Sequence, residues 1–169
     1  MKILTIADKK EEKFLRKKVK PFDFSKFSKK EIRELVRNMR KMMLKASGIG
    51  LAANQVGFDF SFFVAQVPQS REGGGNEKFY AIFNPKITRV SSEKESVEEG
   101  CLSVPGILGN VPRPSKIILE GEDQNGKKVK IKAWGLLARV FQHEVDHLEG
   151  KVFLDRTKEI YRIDQSSIT

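Results

Sequence analysis

Between Lys29 and Ala46 apolar residues recur at helical spacing, at Ile32, Leu35, Val36, Met39, Met42 and Met43, and this period predicts an amphipathic helix. Ser28 and Glu31 stand at capping-box spacing at its start, and Ser47-Gly48 supplies the terminating glycine. A second stripe, Leu136, Val140, His143 and His147, steps by four, three and four residues and predicts a helix from Leu136 to Leu148, ended at Glu149-Gly150. Between the helices the pattern turns to strands. Phe60 to Val67 reads as a buried strand and Phe79 to Phe83 as a second, with Asn84-Pro85 breaking the run before Lys86 to Val90 resumes it. Pro68 to Glu77, which holds Gly73-Gly74-Gly75, reads as a flexible loop joining the two. Ile117 to Leu119 and Val129 to Ile131 flank Asn125-Gly126, a strong hairpin signal. Lys128, Lys130 and Lys132 alternate with Val129, Ile131 and Ala133, as a half-buried strand requires. The expected class is α+β, with antiparallel strands packed around a central helix that carries a His-Glu-x-x-His pattern.

A chain of 169 residues, 39% apolar and 32% charged, fits one globular domain over residues 1–169 and excludes a disordered tail. No apolar run approaches the roughly 18 residues of a membrane helix, so no membrane partner is expected. The first eight residues hold only a short apolar patch, too short for a secretory signal. The single cysteine rules out an intramolecular disulfide framework and suits the reducing cytosol, so the expected location is cytoplasmic. The net charge of +10 is uneven: residues 1–45 hold 16 Lys or Arg against 6 Asp or Glu, and the remainder holds 16 against 16. The basic quarter is therefore a candidate docking surface, with Lys30, Arg33, Arg37, Arg40 and Lys41 as its face. A solvated helix surface is the competing explanation.

Candidate chemistry lies in the second helix. Gln142-His143-Glu144-Val145-Asp146-His147 places two histidines four apart, so both imidazoles stand on one side of a helix and can meet one metal ion. Glu144 follows the first of them and can hold or transfer a proton of water, as metal-assisted hydrolysis requires. Two surface histidines on an amphipathic helix would look similar, but these are the chain's only two, and they share a stripe with Leu136 and Val140. A hydrolytic metal commonly keeps three protein ligands and one open position. Glu149 faces away, which leaves Cys101 in Val97-Glu98-Glu99-Gly100-Cys101-Leu102-Ser103 as the best third ligand. A small buried hydrophobe or a cysteine nucleophile are its rival roles. Gly48-Ile49-Gly50-Leu51-Ala52-Ala53-Asn54-Gln55 lets a backbone approach a substrate closely.

Together, Gly48 to Gln55, Glu99-Gly100-Cys101-Leu102-Ser103 and Gln142 to Gly150 resemble the three motifs of peptide deformylase, in that family's order. The resemblance implies a metal-dependent hydrolase that removes the formyl group from N-formylmethionyl nascent polypeptides and releases formate. It implies that Cys101, His143 and His147 bind the metal with water in the fourth position, and that Glu144 is general base and then acid. The Gln55 amide and the Leu102 backbone N–H would stabilise the oxyanion. Ferrous iron is the implied physiological metal, with zinc, nickel or cobalt able to occupy the site. Ile49, Val97, Leu136 and Val140 are candidates for the methionine pocket, and the backbone around Ile49 and Gly50 for pairing with an extended peptide. Glu99 is expected behind the ligands, held by Arg113. The basic quarter would then guide the enzyme to ribosomal RNA near emerging chains.

The resemblance is poorer at both ends. Ile6-Ala7-Asp8 is followed by a lysine- and glutamate-rich stretch where the family often carries a Pro-Asp-Pro-x-Leu-Arg-like element. A zinc endopeptidase also bears His-Glu-x-x-His but explains neither Cys101 nor Gln55. An RNA- or ribosome-binding module with a structural metal would fit the basic quarter, yet no RNA-recognition signature is present, and such a site would close its fourth position with a residue.

Overall fold

The structure, a computed structural model, describes residues 2–68 and 77–163. Helix α1 spans Lys9–Leu15, α2 Lys29–Lys45 and α3 Gly135–Leu148. The strands are β1 (Gly50–Ala52), β2 (Phe62–Pro68), β3 (Glu77–Val90), β4 (Lys94–Cys101), β5 (Val104–Pro114), β6 (Lys116–Glu122), β7 (Lys128–Trp134) and β8 (Ile160–Arg162). They form two antiparallel sheets, β1-β2-β3-β6-β7 and β4-β5-β8.

Strand β2 is apolar at every position from Phe62 to Val67 except Gln66, because both its faces are covered. Phe62 and Val64 pack with Ile32, Val36, Met39 and Met43 of α2, whereas Phe63, Ala65 and Val67 pack with Ala138, Val140, Phe141 and Leu148 of α3. Burying a core side chain of this size stabilises the fold by about 1.5–3 kcal/mol relative to exposure. On β6 and β7 the inward residues Ile117, Leu119 and Ala133 join the α3 core, and their lysine neighbours remain exposed. A third, smaller cluster of Val104, Val111, Val152 and Phe153 backs the second sheet and includes Cys101 at its border.

Helix α2 begins as its sequence predicts: Ser28 Oγ accepts from Glu31 N at 3.2 Å while Ser28 N donates to Glu31 Oε2 at 2.7 Å. The hairpin between β6 and β7 also forms, with Gly126 at φ +76°, a conformation an L side chain resists. One expectation requires correction. Asn84-Pro85 does not end a strand: β3 runs through it, with Asn84 at φ +48° and a register shift between Phe83 and Lys86. This is a bulge, and the Asn84 side chain secures it by bonding the Phe22 N–H at 2.7 Å and carbonyl at 3.0 Å. The lysine- and glutamate-rich stretch after Asp8 contains α1, capped by the Asp8 carboxylate on Lys10 N and Glu11 N. The glycine-rich part of the expected 68–77 loop lies outside the described residues.

Candidate metal centre

The last turns of α3 carry His143, Glu144 and His147. Four-residue spacing puts the imidazoles on one side of the helix, and their Nε2 atoms lie 3.3 Å apart. Cys101 ends β4, where the register with β5 breaks after Gly100. Its Sγ thereby reaches 3.2 Å from His147 Nε2. The three ligand atoms all lie within 4.8 Å of one another. A thiolate with two imidazoles is a donor set for first-row transition ions such as iron or zinc rather than for calcium or magnesium. Glu144 Oε2 is buried beside this cluster with no hydrogen-bond partner among the described residues, which is where a water held at the centre would be received. The residues present fit a divalent transition metal.

Gln55 closes a short 3₁₀ turn, Ala53–Val56, directly after β1. Its Oε1 accepts from Ala52 N at 2.9 Å, which fixes the amide so that Nε2 donates to Ser103 Oγ at 3.0 Å and lies 3.7 Å from Cys101 Sγ. The N-terminal segment ties these two stretches together, Leu4 N donating to Gln55 O at 2.7 Å and Ile6 N to Ser103 O at 2.9 Å. Asn54 Nδ2 bonds the His147 carbonyl at 2.5 Å, joining the same turn to the end of α3.

Behind the ligands sits a buried charge network. Glu99 accepts from Arg113 Nε at 2.6 Å, Arg113 Nη2 at 3.0 Å and Arg139 Nη1 at 2.6 Å, and contacts His143 Nδ1 at 3.0 Å. Asp146 takes Arg113 Nη1 at 2.8 Å and a close pair with Arg156. Burial alone would raise the Glu99 pKa, but the His143 and Arg113 hydrogen bonds outweigh it and hold the carboxyl down at about 2. The carboxylate thus anchors Nδ1 of His143 and turns Nε2 toward Cys101 and His147. Burial disfavours the His143 cation too, yet bonding to Cys101 and Glu99 holds its pKa well above the ordinary value. His147 is pushed well below its ordinary value, by burial first and then by the neighbouring His143 and Arg113 charges. Glu144 is 3% exposed, and burial pushes its pKa up to about 7 against the downward pull of His143 and Arg113.

The centre opens into a cleft of about 510 Å³ whose lining includes Ile49, Gly50, Gln55, Leu102, Leu136, Val140, His143 and Glu144. Gly50 faces the carboxylate so closely that a Cβ there would stand 2.2 Å from Glu144 Oε1. Val97, expected in the methionine pocket, is 44% exposed and is not among the lining residues. It flanks a stretch of β4 and β5 where the Arg139 guanidinium bonds the Val111 and Glu95 carbonyls. Glu149 turns outward to Lys18 at 2.9 Å, as expected. Arg113 is 3% exposed and makes the expected contact with Glu99. The sequence reading missed Arg139, Asp146 and the cleft residue Leu108. For Arg139 a signal existed, since it lies one turn before His143 on the ligand-bearing side of α3.

The family model described as "Polypeptide deformylase" matches residues 1–162. A peptide deformylase of Natranaerobius thermophilus is 40% identical over 135 residues, covering 80% of this chain and 82% of that protein. The crystal structure of a probable peptide deformylase from Synechococcus phage S-SSM7 superposes with TM-score 0.81 at 43% identity, covering 93% of this chain and 99% of that one. The Met-Ala-Ser-bound class I type b peptide deformylase from Acinetobacter baumannii superposes with TM-score 0.83 at 30% identity, covering 93% of this chain and 98% of that one.

Proposed function

Since this chain belongs to the peptide deformylase family and is a metal-dependent hydrolase removing the N-formyl group from nascent peptides, we propose that Cys101, His143 and His147 hold its metal and Glu144 moves the proton. The observation that carries this reading is the convergence of one thiol and two imidazoles within 4.8 Å, beside the unpartnered Glu144 carboxylate oxygen. A divalent cation in that donor set supplies Lewis acidity, easing deprotonation of water and polarising a carbonyl. Ferrous iron is the ion we propose, with zinc, nickel or cobalt as substitutes that the same donors accept.

In this mechanism Glu144 accepts the proton of the attacking water as its oxygen adds to the formyl carbon. The carbonyl oxygen takes up negative charge, and the Gln55 Nε2–H and Leu102 N–H donate to it. Losing one such donor typically costs about 2.7–4 kcal/mol of transition-state stabilisation. Glu144 then returns the proton to the amine nitrogen, the C–N bond breaks, and formate leaves. A pKa of about 7 suits a group that must take and give the same proton near neutrality. Glu99 holds His143 in orientation while Arg113 and Arg139 keep Glu99 ionised.

The substrate peptide adds along β1, the edge of the five-stranded sheet, using the backbone of Ile49 and Gly50. Its methionine side chain sits against Leu136 and Val140. Residues 1–169 act as one catalytic domain. Among the described residues no helix is long and apolar enough to cross a membrane, and we place the enzyme in the cytoplasm, at the ribosome. The exposed Lys30, Arg33, Arg37 and Lys41 of α2 support docking there through ribosomal RNA. Arg40 is less available, since its guanidinium bonds Gln66 at 2.9 Å and lies over the Phe79 ring. The test is formate release from formyl-Met-Ala-Ser by metal-loaded protein, with an unformylated peptide as control. Formate is expected from the first and no internal cleavage from either. Retained formyl groups at full metal occupancy would overturn the site assignment.

A further inference from the structure

The outer face of the large sheet carries chemistry that the metal centre does not use. Antiparallel register aligns Lys116 with Trp134, Arg89 with Ile118 and Lys132, Lys86 with Glu120 and Lys130, and Glu122 with Lys128. The alternate residues Ile117, Leu119 and Ala133 face α3, so this set points the other way, and its six cations are exposed. Both carboxylates on the face are engaged: Glu120 pairs with Lys130 at 2.9 Å, and Glu122 accepts from Asn84 Nδ2 at 2.8 Å. Five cations therefore remain without an ion-pair partner among the described residues. Trp134, the only tryptophan in the chain, is 65% exposed. With Arg89, Val90, Lys116 and Lys132 it lines a groove of about 340 Å³, and no residue of this groove also lines the catalytic cleft.

Lysines on an edge strand protect a sheet from pairing with another chain, and β7 is the edge. That explains Lys128, Lys130 and Lys132. It does not explain Lys86, Arg89 and Lys116 on the interior strands β3 and β6, nor a tryptophan left open among them. We propose that this face binds single-stranded RNA, with phosphates along the cations and a base stacked on Trp134. Alternate residues of a strand are spaced about 6.7 Å apart, so Lys128, Lys130, Lys132 and Trp134 step along β7 on the scale of one extended nucleotide. A cationic track beside an aromatic platform is how single strands are held without base-specific hydrogen bonds. The surface is therefore sequence-tolerant and sensitive to salt.

The experiment titrates a short mixed-sequence single-stranded RNA oligonucleotide with the full chain at low and moderate salt. Anisotropy of the labelled RNA and fluorescence of Trp134 are both followed. Binding is expected to quench the tryptophan. Replacing Lys116, Lys128 and Lys132 together by glutamine should weaken binding about tenfold or more and flatten the logarithmic salt slope by about 2. Trp134→Ala should weaken it at least about fivefold, with Trp134→Phe restoring part of the loss. Formate release from a short formyl peptide should not change in any of these variants. Replacing Lys30, Arg33, Arg37, Arg40 and Lys41 of α2 by glutamine should leave the tryptophan quench intact. Equal RNA affinity of wild type and the sheet variants overturns the proposal, as does binding without quenching or a loss that tracks the α2 variant alone.

Discussion

Gly50→Ala tests how tightly the backbone of β1 confines the proton-transferring carboxylate. An alanine Cβ at this position would stand 2.2 Å from Glu144 Oε1, 2.8 Å from Cδ and 3.1 Å from Cγ, whereas ordinary contact begins near 3.4 Å. The end of the glutamate must therefore retreat by about 1 Å, a misplacement that can cost about 100-fold in rate, or about 2.7 kcal/mol of barrier. Nothing else should fail. Gly50 lies outside the left-handed region, so alanine is tolerated by the backbone, and losing a glycine reduces the entropy of the unfolded chain by an amount worth about 0.4–1 kcal/mol of stability. The three atoms nearest that Cβ all belong to Glu144 and none to a proposed ligand. The assay measures kcat and KM for formate release from formyl-Met-Ala-Ser, alongside metal content and the thermal midpoint. A fall in kcat with metal content and midpoint maintained is the expected result. Unchanged kcat would refute the reasoning. A rise in KM alone would do so too, because it would mean the new methyl group obstructs the peptide instead of displacing Glu144.

Glu144→Gln should keep its metal and lose nearly all turnover, while Cys101→Ala should bind metal weakly or not at all; elemental analysis beside the rate assay separates the two roles. In the metal-free chain, the Glu144 pKa of about 7 lies above its unfolded value of 4.5. Its contribution to stability is thus greatest below pH 4.5 and declines as pH rises to 7, and Glu144→Gln should gain up to about 3 kcal/mol on its parent in denaturant melts at pH 8 compared with pH 4. Glu99 works in the opposite sense: with its pKa lowered to about 2, it stabilises the fold above pH 4.5 and loses about 3 kcal/mol as pH falls through 2, so acid unfolding that ignores Glu99→Gln would contradict the network described. A ferrous preparation should lose activity in peroxide through oxidation of the iron or of Cys101, and sustained turnover under those conditions would count against a thiolate-ligated iron. Glutamine at Lys30, Arg33, Arg37, Arg40 and Lys41 should weaken ribosome binding and its salt dependence without altering formyl-peptide turnover, whereas unchanged ribosome affinity would leave α2 as a solvated surface.

What the sequence determined by itself is what depends on short separations. Helical period placed His143, Glu144 and His147 on one side of α3, because one turn of helix is a local geometry. The same holds for the Ser28–Glu31 cap and the Asn125-Gly126 turn. The three motifs also named Gln55 and Cys101, but no period along the chain says that residues 46 apart meet, Gln55 Nε2 coming within 3.7 Å of Cys101 Sγ. That distance depends on β4 ending beside α3 and on the N-terminal segment clasping both stretches. Strands β4 and β5 were not legible: Lys94 to Glu98 is exposed throughout, so the small sheet leaves little apolar alternation to detect. Arg113 was expected beside Glu99 from the family resemblance, but Arg139 looks like a surface cation in the sequence and is buried because Glu99, distant in the chain, neutralises it. The charge on the sheet face is the clearest case. Residues 46–169 balance in number, yet pairing of β3, β6 and β7 gathers six cations on one side, since side-chain alternation and strand register, not composition, decide which charges share a surface.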